Sequence, residues 1–97
     1  MRLSDNDIKI IVDFFTGKPV LKAYLFGSHS RNEADSNSDV DILVELDYSK
    51  HIGLGFVQMK IDLEKKLNKT IDLVSSQSLS RHIKPFIEKD KVLIYER

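Results

Sequence analysis

The 97-residue sequence has no cysteine, no net charge and no long apolar run. Without cysteine it can form neither a disulfide nor a thiolate zinc site, and this absence fits the cytoplasm. Its 15 basic residues are balanced by 15 acidic ones, so we do not expect direct nucleic-acid binding, which calls for a basic surface. No apolar stretch approaches the ~18 residues of a membrane span and the first residues do not resemble a signal peptide, so no contact with a membrane is expected.

Length and composition predict one globular domain. Apolar residues make up 41% of the sequence and charged residues 31%, which is ordinary for a globular protein. A chain of this length buries a single modest core, with somewhat over ~60% of its unfolded surface removed from water. The sequence shows no repeat, low-complexity tract or linker. We therefore predict one domain over residues 1–97.

The hydrophobic pattern alternates between helical and strand periods. A first helix is predicted from a capping box of Ser4 with Asp7, and further helices over residues 52–68 and 78–88. Strands are predicted in the segments PVLKAYLF, DVDILVEL, KTIDLVSS and KVLIYE. Strands that alternate with helices favour an α/β (α+β) fold, with helices packed against a small mixed β-sheet.

Two apolar rows run along the predicted helix over residues 52–68. The first row, which we assign to the core, contains Phe56, Met59, Leu63 and Leu67. The second row lies beside it and contains Leu54, Val57 and Ile61. Together the two rows predict a broad apolar face suited to lying on the sheet, with an adjoining exposed part as a contact for a partner as the alternative.

The segment LFGSHSRNEADSNSDVDILVELD, residues 25–47, places two aspartates at the start of a core strand. Side chains two residues apart on a strand point the same way, so Asp39 and Asp41 project to one face of the sheet. A third aspartate, Asp72, lies inside the next predicted strand, TIDLV. If the two strands are neighbours, three carboxylates converge, and their repulsion favours bound magnesium.

A phosphate-binding element precedes these aspartates. Gly27 ends a predicted strand, where glycine lets the backbone turn tightly and approach a phosphate. A short helix predicted over residues 28–34 would begin at Ser28 and offer free backbone N–H groups to an anion. Arg31, one turn along that helix, would reach the same phosphates. These parts describe a site for phosphoryl or nucleotidyl transfer.

Each of these residues also has a purely structural interpretation. Gly27 alone would be a turn glycine, and Ser28 and Ser38 would be helix or turn caps. Arg31 fits a surface salt bridge as well as it fits a phosphate contact, and the first two aspartates could be solvated charges at a strand end. The three histidines are scattered without the spacing of metal ligands. Only the joint spacing favours a functional site over these alternatives.

The joint spacing resembles a known signature. From Gly27 to Val44 the motif reads GS, two residues, R, six residues, SD, one residue, D, two residues and V. This pattern resembles the signature of the DNA polymerase β-like nucleotidyltransferase superfamily, and the short chain resembles its minimal nucleotidyltransferase (MNT) branch. Asp72 matches a third aspartate of the family, and the order of helices and strands also agrees.

The resemblance implies a Mg²⁺-dependent enzyme that transfers AMP from ATP to a hydroxyl group and releases pyrophosphate. Asp39 and Asp41 would hold two magnesium ions. Asp72 would bind the second ion and help to deprotonate or orient the attacking group. Gly27 and Ser28 would bind the β- and γ-phosphates.

The remaining implications concern Ser38 and the acceptor. Ser38 would cap its loop and orient the following aspartate. Small stand-alone members of this branch are similar to antitoxins encoded beside a HEPN-type ribonuclease toxin, which some of them silence by AMPylating a tyrosine. A HEPN-type toxin is therefore the expected partner. The alternatives are steric neutralisation of that toxin and nucleotidyl transfer to a small molecule or an RNA end. Assembly as a homo-oligomer, or as a hetero-oligomer with the toxin, is also left open.

Overall fold

A computed structural model describes residues 3–27 and 39–97 of the chain. The helices are α1 (Asp5–Phe15), α2 (Gly55–Leu67) and α3 (Lys84–Asp90), and a 3₁₀ turn spans Ser76–Ser78. The strands are β1 (Val20–Phe26), β2 (Val40–Leu46), β3 (Ile71–Ser75) and β4 (Val92–Glu96). They form one sheet in the order β3-β2-β1-β4. The predicted fold class, a small mixed sheet with helices packed against it, is confirmed.

Strand direction explains where α2 lies. β1 pairs antiparallel with both β2 and β4, whereas β2 pairs parallel with β3. A parallel pair cannot be joined by a tight turn and needs a crossover connection, usually a helix. The crossover here contains α2, which returns the chain to the end of the sheet where β2 began.

The first helix starts where the capping box predicts. The Ser4 hydroxyl accepts a hydrogen bond of 3.1 Å from the Asp7 backbone N–H, and the Asp7 carboxylate accepts one of 3.3 Å from the Ser4 backbone N–H. Two N–H groups that the helix itself cannot satisfy are thereby paired. Ile11, Phe14 and Phe15 bury one side of the helix in the core.

The alternation of residues along β2 separates two faces of the sheet. The first, which we call the packed face, carries a row of β2 residues that α1 and α2 bury in the main core: Val40, Ile42, Val44 and Leu46. The second, which we call the carboxylate face, carries Asp41 and Leu43. Its middle is covered by α3, whose Ile87 is buried with Tyr24 and Leu43 in a second, smaller core.

The prediction that both apolar rows of α2 lie on the sheet is wrong. Leu54, Val57 and Ile61 are 86%, 52% and 40% exposed. A straight helix meets a sheet along one side only, and the row that contains Met59 and Leu63 occupies that side. The second row is therefore exposed to solvent.

Two predicted helices begin later in the structure than the pattern indicates. The residues before α2 form a turn, in which the Gly55 N–H donates to the Ile52 carbonyl and Gly53 has a φ of +45°. The last helix begins at Lys84, after a 3₁₀ turn, with Pro85 in its first turn. Proline is tolerated there because the first N–H groups of a helix lack helical partners.

The predicted helix over residues 28–34 and the loop after it lie outside the described residues. Ser28, Arg31 and Ser38 belong to that segment, so their predicted roles stay predictions. Over the two ranges that the structure describes, no helix is both long and apolar enough to cross a membrane.

Candidate active site

Asp41 and Asp72 lie opposite each other on neighbouring strands. The parallel register of β2 and β3 pairs Asp41 directly with Asp72. Neighbouring strands are about 4.8 Å apart, and side chains in register share a face of the sheet. β3 therefore brings Asp72 beside Asp41, on the carboxylate face. Two carboxylates so placed repel each other unless a cation lies close to them.

Asp39 lies directly before β2, two residues from Asp41, and is exposed. Within residues 3–27 and 39–97, no three His, Cys, Asp or Glu side chains are grouped closely enough to hold a metal ion. The structure thus places two of the three aspartates side by side, with Asp39 at the entry to the strand. The convergence of all three carboxylates on one metal site stays a prediction.

Gly27 follows the last residue of β1 and lies against Asp41. Its φ of +70° is in the left-handed region, which glycine adopts at little cost. A Cβ atom built at this position would collide with Oδ2 of Asp41. Two features therefore favour glycine here, the left-handed backbone and the close approach of the Asp41 carboxylate, which an added side chain would displace.

The donor set of this region fits a magnesium ion. Asp41 and Asp72 supply hard carboxylate oxygens from adjacent strands, and Mg²⁺ prefers one or two such ligands, with waters and phosphate oxygens completing its shell. Gly27 keeps the strand end beside them free of a side chain. The same elements can serve a nucleoside triphosphate and its metal.

A polar network that sequence analysis did not predict lies on the same face. The Tyr24 hydroxyl donates to Glu45 at 2.7 Å. The Lys91 ammonium is 4.3 Å from the centre of the Tyr24 ring and 2.8 Å from the Glu88 carboxylate. Burial, aided by the hydrogen bond to Glu45, raises the pKa of Tyr24 to about 12, so the phenol stays a donor. Lys91 in turn lowers the pKa of Glu88.

Two cavities lie away from the aspartates. A cleft of about 560 Å³ separates α3 from the later part of β2 and is lined by Glu45, Lys84 and Glu88 among others. A larger cavity of about 780 Å³ lies between α1 and α2, with Phe14 and Lys65 among its lining residues. Because both helices cover the packed face, the larger cavity is on the opposite side of the sheet from the carboxylates.

Comparison with known proteins identifies the family. Residues 9–97 match the family model described as "Polymerase beta, Nucleotidyltransferase". A Methanocaldococcus jannaschii relative named "Putative protein adenylyltransferase" is 38% identical over 89 residues, which cover 91% of this chain and 89% of the relative. The protein adenylyltransferase MntA of Thermococcus cleftensis is 36% identical over 70 residues, which cover 72% of this chain and 70% of MntA.

Solved structures share the fold. A chain from a toxin–antitoxin structure with AMP-PNP gives a TM-score of 0.78 at 22% identity, covering 93% of this chain and 73% of that one. A chain from the complex of a tri-AMPylated Shewanella oneidensis HEPN toxin with an MNT antitoxin gives 0.74 at 18% identity, covering 98% and 74%. The fold is that of the nucleotidyltransferases. The chain belongs to the polymerase β nucleotidyltransferase family, which confirms the resemblance found in its sequence.

Proposed function

We propose that the protein is an antitoxin that transfers AMP from ATP to a tyrosine hydroxyl of a HEPN-type ribonuclease toxin. The observation that carries the proposal is the direct pairing of Asp41 with Asp72 beside Gly27, in a chain of the nucleotidyltransferase family. Relatives named as protein adenylyltransferases and a structural neighbour from an AMPylated HEPN toxin complex support this acceptor.

The reaction forms one P–O bond and breaks another. The tyrosine oxygen attacks the α-phosphorus of ATP, the bond from that phosphorus to the bridging oxygen of the β-phosphate breaks, and pyrophosphate leaves. Asp72 orients the tyrosine hydroxyl and takes up its proton. Gly27 and Ser28 hold the β- and γ-phosphates in line behind the α-phosphorus, which favours attack because the reacting atoms are already positioned.

Asp39, Asp41 and Asp72 are the residues that would hold magnesium. When bound there, magnesium supplies positive charge for both the attacking oxygen and the leaving pyrophosphate. The Asp41 carboxylate also lies close to Gly27 at the end of β1. A side chain added at position 27 would therefore displace the carboxylate.

The test is the intact mass of the toxin after incubation with ATP and magnesium. The purified HEPN-type toxin from the same genome is mixed with the unsubstituted protein, with Asp41→Asn, or with Asp13→Asn. Asp13 is an exposed acid on α1, the other side of the sheet, so its substitution is the matched control.

We expect AMP to be added by the unsubstituted protein and by Asp13→Asn, and not by Asp41→Asn. An unmodified toxin whose ribonuclease activity is still inhibited, equally by all three proteins, would instead establish steric neutralisation. A toxin that is neither modified nor inhibited would contradict both functions.

A further inference from the structure

Helix α3 divides the carboxylate face into two regions. Its Ile87 is buried against Tyr24 and Leu43. Leu43 lies midway between Asp41 and Glu45 on the same face of β2, because side chains alternate along the strand. The sheet surface on one side of α3 therefore contains Asp41, and the surface on the other side contains Glu45.

The two flanks of α3 differ in chemistry. Lys84 and Glu88 line the cleft over Glu45, so they mark the flank that faces away from the catalytic aspartates. Successive residues of a helix are turned by about 100°, which places Phe86 about 200° from both Lys84 and Glu88. Phe86 thus lies on the flank that faces Asp41.

The flank toward Asp41 is apolar and exposed. Phe86 is 72% exposed, and Ile83, three residues earlier on the same side, is 53% exposed. Phe26 pairs with Asp41 in the β1–β2 register and packs, half-buried, on the cluster that contains Ile87. We call Phe26, Ile83 and Phe86 the apolar ledge. Phe26 is the neighbour of Asp41 in the sheet, and Ile83 and Phe86 are on the flank of α3 that faces Asp41.

We propose that the apolar ledge is the surface on which the acceptor protein docks. The inference rests on the proposed function, since a tyrosine on a protein can reach Asp41 and Asp72 only if its flanking segment covers the adjacent part of the carboxylate face. That part offers apolar side chains, so the acceptor segment beside the tyrosine presents apolar side chains to it. Exposed aromatic residues that become buried on binding are typical anchors of protein interfaces.

The exposed row on α2 cannot be the surface on which the acceptor tyrosine is brought to the aspartates. Leu54, Val57 and Ile61 are also exposed, but α2 packs on the other face of the sheet through Met59 and Leu63. An acceptor bound there is separated from the aspartates by the thickness of the sheet. This row is therefore the matched control for the ledge.

The experiment compares the variant Ile83→Ser/Phe86→Ser with the control Leu54→Ser/Val57→Ser. The purified HEPN-type toxin from the same genome is the acceptor. Rates of AMP transfer are measured over a range of toxin concentrations, and the affinity of each protein for toxin and for ATP with magnesium is measured by calorimetry. We expect the ledge variant to raise the KM for toxin and weaken toxin binding about tenfold or more. ATP binding should be retained, and the control should match the unsubstituted protein.

Other outcomes separate the ledge from the proposed function. A ledge variant with unchanged KM and unchanged toxin affinity overturns the docking surface while leaving AMP transfer in place. If the unsubstituted protein binds the toxin without modifying it, the transfer reaction fails, and the affinity of the ledge variant still decides the docking surface. If neither the unsubstituted protein nor its variants bind the toxin, the docking surface and the proposed function are both overturned. Circular dichroism verifies folding, and Phe86→Ser alone is used if the double variant unfolds.

Discussion

The two faces of β2 are made from alternate residues of one strand, yet they differ in burial and in polarity. Val40, Ile42 and Val44 are fully buried between the sheet and two long helices. Asp41 and Glu45 are polar, partly buried, and lie on either side of one short helix. Most buried apolar residues of β2 are thus on the packed face, so we expect stability to depend mainly on that face and the proposed chemistry to depend on the carboxylate face. Substitutions on each face should therefore have separable effects.

The largest effect on stability is expected from Ile42→Ala on the packed face. The side chain is fully buried, and removing it leaves a cavity that should cost about 2–5 kcal/mol of unfolding free energy. Urea unfolding followed by circular dichroism measures this loss. Val57→Ala, at a 52% exposed position, is the control and should change it little. Molecules of Ile42→Ala that remain folded should bind ATP normally, and a loss of ATP affinity without unfolding would contradict the separation of the faces.

On the carboxylate face, Asp41→Asn should lower the rate of AMP transfer by more than about 100-fold, since even residues that only support metal ligands contribute ~10–100-fold. Circular dichroism verifies that Asp41→Asn is folded, since the Asp41 carboxylate lies close to Gly27 at the end of β1. Initial rates with ATP and magnesium measure the effect, with Asp13→Asn as the control. Full activity in Asp41→Asn would show that the pair does not carry the reaction.

The variant Gly27→Ala tests the contact between the strand end and Asp41. We expect a loss of about 1–2 kcal/mol from the left-handed backbone and a lower transfer rate, because the added methyl displaces the Asp41 carboxylate. Gly17→Ala is a close control, since Gly17 also has a positive φ, +85°, but a Cβ atom there would have no neighbour within 4 Å. Equal transfer rates in the two variants would show that the contact with Asp41 is unimportant.

The smallest effect concerns Asp47, which follows β2 at the end remote from Asp41. Hydrogen bonds from the Ser49 hydroxyl, then from Arg97, lower the pKa of Asp47 from 3.8 to about 2. Because the folded pKa lies below the unfolded one, the stabilisation is complete above pH 3.8 and is lost as the pH falls toward about 2. We expect the Tm difference between the unsubstituted protein and Asp47→Asn to shrink over this interval. The transfer activity of Asp47→Asn should equal that of the unsubstituted protein. A Tm difference that does not change with pH would show that the ionised Asp47 is not its source.

Much of the fold could be predicted because its signals are local. The capping box of Ser4 and Asp7 starts α1, and alternation along β2 separates Ile42 from Asp41. The exposure of Val57 could not be predicted in this way. Whether a second apolar row of a helix is buried depends on the width of the surface that the helix packs on. That width cannot be inferred from the spacing of residues along the helix.

The candidate site, like the fold, could be predicted only in part. The placement of Asp41 and Asp72 side by side could be predicted because the motif has a fixed spacing and β3 was correctly predicted as a strand. The hydrogen bond from Tyr24 to Glu45 was missed because it depends on the register of β1 against β2, which an irregularity near Lys22 shifts. The apolar ledge was missed as well, since it depends on how α3 crosses the sheet.

The parallel pairing of β2 with β3 also has a consequence for the order in which the protein folds. Asp41 and Asp72 are 31 residues apart in the chain, and closing that distance costs more chain entropy than forming an adjacent turn. The pair can form only after the crossover that contains α2 has folded back on the sheet. Contacts between distant residues tend to be slow to form, so we expect a newly synthesised chain to bring Asp41 and Asp72 together among the last steps. A fragment that ends before β3 would lack Asp72, so under the proposed function we expect it to be inactive however well its helices form.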